Sequence, residues 1–267
     1  YKEGGILTFY CLTPIHMGAG QSVSFVDNVV QRERHTSYPT IWSSSIKGVL
    51  REFSIRKWKD NNKVNLIFGP EPDNKSSNEF ASCISITDAK ILLFPVRSVK
   101  GTFAWITCPF VLKRLKEDLK SIEKDFKDEQ GKDIQIPDNQ ILNNRENEKI
   151  ILCSENDLII ENNKVAFEEF VFEVNNKVDN NEADTIAKFI INSLLPETEF
   201  KDDFFKKHFG IVSDDVFKDF VNYAVEIRTR IRIDQITGTV SEGALFTEEL
   251  IPSESVFYSL VFVSDPY

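Results

Sequence analysis

Apolar and polar positions alternate most clearly late in the chain, in Val225-Glu226-Ile227-Arg228-Thr229-Arg230-Ile231-Arg232-Ile233-Asp234. Period two predicts a strand with β-branched residues on one face and Arg228, Arg230 and Arg232 on the other. Thr237-Gly238-Thr239 predicts the turn that leads the chain back. Shorter apolar runs predict strands at 6–12, 25–30, 84–94, 102–107, 158–160 and 256–263. The 84–94 run is broken at Asp88-Ala89-Lys90 and ended by Pro95, and 165–174 shows broken alternation.

Helical spacing is equally plain in places. Ile46, Val49, Leu50 and Phe53 recur at i, i+3, i+4 and i+7 and predict an amphipathic helix ending near Trp58. Ser43-Ser44-Ser45 supplies N-cap hydroxyls for it. Lys47 and Arg51, four apart, share its other side. Gly48 between them costs about 1 kcal/mol against alanine, which predicts that something approaches the backbone there. Pro109 opens a second helix with Leu112, Leu115, Leu119 and Ile122 on one side. Helices are also expected at 182–195 and 214–223, a loop at 60–78, and a polar surface insertion at 128–149. The whole is an α+β pattern in one domain over 1–267, with no internal repeat.

Composition changes this picture little. The 267 residues are 41% hydrophobic and 12% aromatic, enough for a packed core. No apolar run approaches 18 residues and the start lacks a signal-peptide pattern, so a cytoplasmic protein without a membrane span is expected. Cys11, Cys83, Cys108 and Cys153 form no CxxC pair and read as reduced core residues.

Charge changes it more. The net charge of −10 argues against indiscriminate nucleic-acid binding. Yet residues 28–59 hold seven basic and two acidic residues, a local excess of +5. An acidic chain with a basic N-terminal quarter suits a protein that holds nucleic acid on one face.

Several constellations could carry chemistry, each with a plainer reading beside it. Gly18-Ala19-Gly20 lets backbone N–H groups approach a phosphate, and reads equally as a tight turn. The helix start at Ser43 and Ser44, with Lys47 and Arg51, forms a phosphate site or a capped surface helix. Arg228, Arg230 and Arg232 suit a nucleic-acid backbone or a charge-protected edge strand. Asp27 is an acid beside a phosphate-binding surface. It either turns the chain, holds a divalent metal or positions a 2′-hydroxyl for attack on its neighbouring phosphate. His16 and His35 flank it; His208, among phenylalanines, reads as structural.

Thr13-Pro14-Ile15-His16-Met17-Gly18-Ala19-Gly20, Val26-Asp27, Gln31-Arg32-Glu33-Arg34-His35-Thr36, Tyr38-Pro39 and Ser43-Ser44-Ser45-Ile46-Lys47-Gly48-Val49-Leu50-Arg51 together resemble the N-terminal block of the RAMP superfamily. Ile67-Phe68-Gly69, residues 88–97, Arg228 to Asp234 and Gly243-Ala244-Leu245-Phe246 extend the likeness. It is greatest to the repeating backbone subunit of Cmr-type (type III-B) CRISPR effector complexes.

That resemblance implies a ferredoxin-like (RRM-related) core with large insertions, including a polar one at about 117–160 and a β-hairpin thumb at about 228–246. It implies copies stacked head to tail on a crRNA guide, alongside other Cmr-type subunits, with thumbs wedged into the guide–target RNA duplex. It places the catalytic, metal-binding aspartate at Asp27, with magnesium or manganese as cofactor. It assigns RNA contact to His16, Gly18, Gly20, Arg34, Ser43, Ser44, Lys47, Arg51, Arg228, Arg230 and Arg232. The family often carries a strongly glycine-rich loop near the C-terminus; none precedes Ser264-Asp265-Pro266-Tyr267, so C-terminal RNA contacts are not carried over.

The expectation is therefore an RNA-guided, metal-dependent endoribonuclease subunit of an antiviral complex, whose base reading is delegated to the guide. The alternatives are a purely structural crRNA-binding subunit and a metal-independent guide-processing RNase using an essential histidine.

Overall fold

The computed structural model describes residues 1–21, 26–70, 81–143, 148–175, 181–195, 203–233, 236–240 and 245–265. In chain order the elements are β1 (Glu3–Tyr10), β2 (Gly18–Gln21), β3 (Asn28–Val30), β4 (Thr40–Ile41), α1 (Ser43–Trp58), α2 (Asn61–Phe68), β5 (Ile84–Ile86), β6 (Ala89–Arg97), β7 (Phe103–Thr107) and α3 (Pro109–Ser121). Then come α4 (Asn139–Leu142), β8 (Lys149–Leu152), β9 (Lys164–Phe167), β10 (Phe170–Val174), α5 (Asn181–Phe189) with a π-helical turn at Ile190–Leu194, α6 (Asp203–Lys207), β11 (Phe209–Ile211), α7 (Asp214–Tyr223), β12 (Glu226–Arg230), β13 (Phe246–Leu250) and β14 (Val256–Val263). The fold is α+β, with two mixed sheets.

The large sheet runs β1-β14-β6-β7-β11-β8-β10-β9, with β4 added to β6 and β5 to β14. Its centre is β6, where Ile91, Leu92, Leu93 and Phe94 are all fully buried. Four consecutive buried side chains mean that both faces of the strand are covered. α3 does part of this by burying Val111, Leu112, Leu115 and Leu119. α7 buries Val216, Phe217, Phe220 and Val221. The small sheet runs β12-β13-β3-β2. β12 and β13 are antiparallel, β3 joins β13 in parallel through Asn28 and Glu248, and β2 returns along β3.

Several expectations from the sequence hold in detail: α3, α7, β7 and β14 fall where periodicity puts them. All four cysteines are free and buried, and burial raises the Cys11 thiol to about 11. His208 is buried, donates through Nδ1 to the Phe204 carbonyl at 2.7 Å and stacks on the Phe204 ring, a structural role. No helix among the described residues is long and apolar enough to cross a membrane.

Others are corrected. Pro95 lies inside β6, paired with Trp105 of β7. β14 pairs with β6 only as far as Leu93, so at Pro95 the strand has one open edge and needs no donor there. The expected loop at 60–78 contains α2, whose N-cap Asp60 accepts from the Lys63 N–H; residues 71–78 lie outside the described residues. The strand expected at 158–160 is absent; the sheet uses β8 instead, inside the polar stretch, with Ile150, Ile151 and Leu152 buried. Phe25 of the expected 25–30 strand lies outside the described residues.

The alternation of β12 is real but buries neither face: Ile227, Ile231 and Ile233 are exposed together with the arginines. β12, the Ile233–Val240 bridge and β13 make a bare two-stranded ribbon. Gly238, at φ +67°, supplies the left-handed turn residue of its return. Residues 234–235 and 241–244 of the expected thumb lie outside the described residues.

Candidate functional site

The small sheet and its edges bring together His16, Gly18, Gly20, Asp27, Arg228 and Arg230. Asp27 stands just before β3 and faces Thr247 of β13. Its N–H donates to Thr247 Oγ1 at 3.0 Å. Its Oδ2 accepts from the Thr247 N–H at 2.7 Å and from the Thr247 hydroxyl at 2.9 Å. These donors, the backbone N–H first and the hydroxyl next, lower the Asp27 carboxyl below its ordinary value. Oδ1 has no hydrogen-bond partner among the described residues, and Asp27 is exposed. The result is an ionised carboxylate held by one oxygen and open at the other.

Thr247 and Glu248 are neighbours on β13, so their side chains leave opposite faces. Asp27 is thus tethered on one face. The other face carries Glu248 with Arg230, whose Nε donates to Glu248 Oε2 at 2.9 Å. Arg228 pairs with Glu226 at 2.6 Å. Arg232 makes no ion pair among the described residues. The arginine ladder is therefore partly neutralised in place.

His16 lies on the Glu248 side, with Nε2 4.0 Å from Glu248 Oε1. Its Nδ1 meets the Glu249 carbonyl at 2.7 Å. A carbonyl only accepts, so Nδ1 carries the proton and Nε2 is left as the acceptor of the neutral ring. Gly18 makes room for this ring: a Cβ there would stand 3.0 Å from Nε2. Gly20 has open space around it and φ +100°, so it serves backbone conformation.

The buried Gln31 joins this sheet to α1. Its amide nitrogen donates to the Gly18 carbonyl at 3.0 Å and its oxygen accepts from the Trp42 N–H at 3.0 Å. The following loop is anchored twice, by Arg32 on Glu249 at 2.5 Å and by Glu33 on Arg114 at 2.8 Å. Between and beyond these anchors the loop displays Arg34 and His35 to solvent. His35 makes no bond to Asp27; its nearest charged partner is Glu33 at 3.9 Å.

α1 departs from its expected orientation. Val49 and Phe53 are 70% and 63% exposed, while Ile46 and Ser54 are buried. The face with Lys47 and Arg51 points inward instead. Lys47 Nζ donates to Ser82 Oγ at 2.5 Å and to the Ile84 carbonyl at 3.3 Å, and desolvation lowers its pKa. Arg51 bonds the Gly69 carbonyl and Asn65. The N-cap is Trp42, without a side-chain cap bond, so Ser43, Ser44 and Ser45 form the first turn. Asp88 accepts from the Ser43 N–H at 2.7 Å. None of the three serine hydroxyls bonds another described residue. At Gly48 nothing lies within 4 Å of an added Cβ, so among the described residues no group makes the close approach its presence predicts.

Among the described residues no group of three or more His, Cys, Asp or Glu converges as a metal cage. The open Oδ1 of Asp27 can give one hard oxygen ligand. That fits a magnesium-type ion, which takes one or two carboxylates and fills its remaining positions from phosphate and water. Sequence reasoning missed Thr247, Glu249 and Gln31. Thr247 and Glu249 act through partners 220 and 219 residues away, and Gln31 through partners 11 and 13 residues off, Trp42 and Gly18, which no local pattern links to it.

The profile of the RAMP superfamily matches residues 8–265, and the chain belongs to that superfamily. Within it, the chain is 42% identical over 261 residues to the CRISPR system Cmr endoribonuclease Cmr4 of Pyrococcus furiosus, covering 97% of this chain and 81% of that protein. The crystal structure of oligomeric Cmr4 from the same organism is similar with a TM-score of 0.71 at 33% identity, covering all of this chain and 84% of that one. A subunit of the type III-B Cmr-beta complex bound to cognate target RNA shares the fold, with a TM-score of 0.70 at 22% identity, over 99% of this chain and 85% of that one.

Proposed function

We propose that this chain is the guide-RNA-holding backbone subunit of a type III-B CRISPR effector and its target-cutting endoribonuclease. The Asp27 carboxylate carries this reading: its pKa is lowered, Oδ2 is tethered to Thr247, and Oδ1 is open on the face of the small sheet opposite the arginines. The likeness to a protein named as the Cmr endoribonuclease supports it. In this reading the large sheet with α1 and α3 is the insertion-bearing core that the family resemblance describes as ferredoxin-like, although β14 lies between β1 and β6 instead of at an edge. The β12–β13 ribbon is the thumb. Copies stack head to tail on crRNA with other Cmr-type subunits, in the cytoplasm.

Asp27 Oδ1 accepts the proton of the target nucleotide's 2′-hydroxyl as that oxygen attacks the adjacent phosphorus. The P–O5′ bond breaks, a 2′,3′-cyclic phosphate forms, and the 5′-oxygen leaves with a proton from water. Arg34, Arg228 and Arg232 hold backbone phosphates, and Ser43 and Ser44 offer donors at the start of α1. Lys47 and Arg51 shape the segments at 65–69 and 82–84 that flank the same helix. Where magnesium or manganese is bound, Asp27 would be the carboxylate of this chain that holds it, and the ion would supply charge neutralisation at the scissile phosphate.

The test is target-RNA cleavage by the reconstituted, guide-loaded complex with parent chain or Asp27→Ala, with target binding followed in parallel. Loss of cutting with assembly and binding intact is expected. Unchanged cutting would make the chain a scaffold. Cutting that survives chelation but not His16→Ala would make it a metal-independent RNase.

A further inference from the structure

We infer that Thr247 is the positioning residue of the cleavage site, fixing the Asp27 carboxylate so that Oδ1 alone faces the RNA. The inference rests on the reading of Asp27 as the catalytic group. Thr247 meets Asp27 three times, with its N–H, its hydroxyl as donor and its hydroxyl as acceptor. A carboxylate on a two-torsion side chain otherwise rotates among several rotamers. Here both ends of the Asp27 residue, its backbone N–H and its Oδ2, are bound to the same partner. That removes rotation about the side chain and leaves one oxygen of defined direction.

The residue type matters. Valine has the shape of threonine but cannot close the ring of bonds: it loses the acceptor for the Asp27 N–H and the second donor to Oδ2. Serine keeps both. A role in packing predicts the reverse order, because valine keeps both γ-branches and serine loses one. Thr247 also belongs to β13, the return strand of the exposed ribbon, so the lock ties the cutting group to the base of that ribbon. Misplacing a reacting group by about an ångström costs on the order of a hundredfold in rate.

The experiment uses the reconstituted complex and the isolated full chain together. In the complex, single-turnover cleavage and target affinity are measured for the parent, Thr247→Val, Thr247→Ser and Asp27→Ala. Thr247→Val is expected to lose about a hundredfold in cleavage rate at unchanged target affinity, with Thr247→Ser close to the parent. In the isolated chain, hydrogen exchange at the Asp27 amide reports the lock without any activity. Protection is expected to fall in Thr247→Val and to persist in Thr247→Ser. Parent-like cleavage by Thr247→Val, or equal losses in Val and Ser, would overturn the positioning role. Unchanged Asp27 protection in Thr247→Val would overturn the lock itself. If Asp27→Ala cuts like the parent while Thr247→Val still loses Asp27 protection, the lock stands but the cleavage role of both residues falls.

Discussion

Arg32 and Glu249 are 217 residues apart in sequence and meet at 2.5 Å, with side chains only 20% and 9% exposed. The pair is a junction. Glu249 also accepts from the Val30 N–H at 2.8 Å, and Arg32 donates to the Ser37 and Val221 carbonyls at 3.0 and 2.9 Å. It binds β3, the 31–39 loop, the end of α7 and β13 together. Removing one member of such a pair leaves a buried charge, a loss of about 3–5 kcal/mol. Glu249→Ala should therefore lower the urea-unfolding free energy of the isolated chain by about 3 kcal/mol or more. The double variant Arg32→Met/Glu249→Leu should lose distinctly less. A loss under about 0.5 kcal/mol for Glu249→Ala, the size of an ordinary surface change, would deny the junction.

Gly18 and His16 give a local prediction. The missing Cβ of Gly18 leaves the space that the His16 ring fills while it donates to the Glu249 carbonyl. Gly18→Ala should force the ring to yield by a few tenths of an ångström and weaken that bond, at a cost of up to about 1 kcal/mol. In a His16→Ala background the same substitution should cost little, because the colliding group is gone. Equal costs in both backgrounds, measured by denaturant unfolding, would place the reason for Gly18 elsewhere.

α1 shows where periodicity misleads. The spacing of Ile46, Val49, Leu50 and Phe53 is helical and a helix forms, but its contacts run through Ile46, Leu50 and Ser54 and through the bonds of Lys47 and Arg51. Hydrophobic spacing tells of a helix, not of which neighbours the rest of the fold brings to it. Ile46→Ala should cost about 2–4 kcal/mol, while Phe53→Ser should stay within about 0.5 kcal/mol in the isolated chain. The reverse order would restore the orientation the spacing predicts.

The same distinction explains what else was legible. α3 and α7 bury the stripes that the spacing picks out, and β14 buries its run from Val256 to Leu260, so the pattern is visible before the fold is. α2, short and asparagine-rich, is fixed by the local Asp60 cap and by Arg51 on Asn65 and Gly69, the latter contacts ones that only the folded chain creates. The sequence singles out Asp27 by its setting near basic residues, but not Thr247, which the fold bonds to it from 220 positions away. Local pattern finds groups with chemistry; it cannot find what holds them.

Glu148 yields a pH prediction. Its residue is exposed to solvent, but partial desolvation of the carboxyl first, then the charges of Asp219 and Asp215, raise it above the ordinary value. A raised folded-state pKa means that the folded chain disfavours the charged form. The penalty is present at neutral pH and disappears as pH falls through the raised pKa. Glu148→Gln should therefore raise Tm at pH 7, with the gain shrinking steadily toward acid. A gain independent of pH, or a loss at pH 7, would mean that the carboxylate is not under this strain.

The three arginines of the ribbon should not contribute equally to RNA binding. Each phosphate neutralised on single-stranded RNA contributes about 0.7 to the slope of log affinity against log salt, and about 0.9 on a duplex. Arg232 has no ionic partner among the described residues and can release a full counterion. Arg230 is already paired with Glu248 at 2.9 Å, and must break or share that pair to reach a phosphate. Arg232→Ala should thus reduce the slope by about 0.7 to 0.9, and Arg230→Ala by clearly less. Glu248→Ala should do the opposite, steepening the slope and tightening binding at low salt by freeing Arg230. Fluorescence anisotropy of labelled RNA across a potassium chloride titration measures all three. If Arg230→Ala flattens the slope as much as Arg232→Ala, and Glu248→Ala leaves it unchanged, the Arg230–Glu248 pair does not form in the RNA-binding state and the ladder acts as three equal cations.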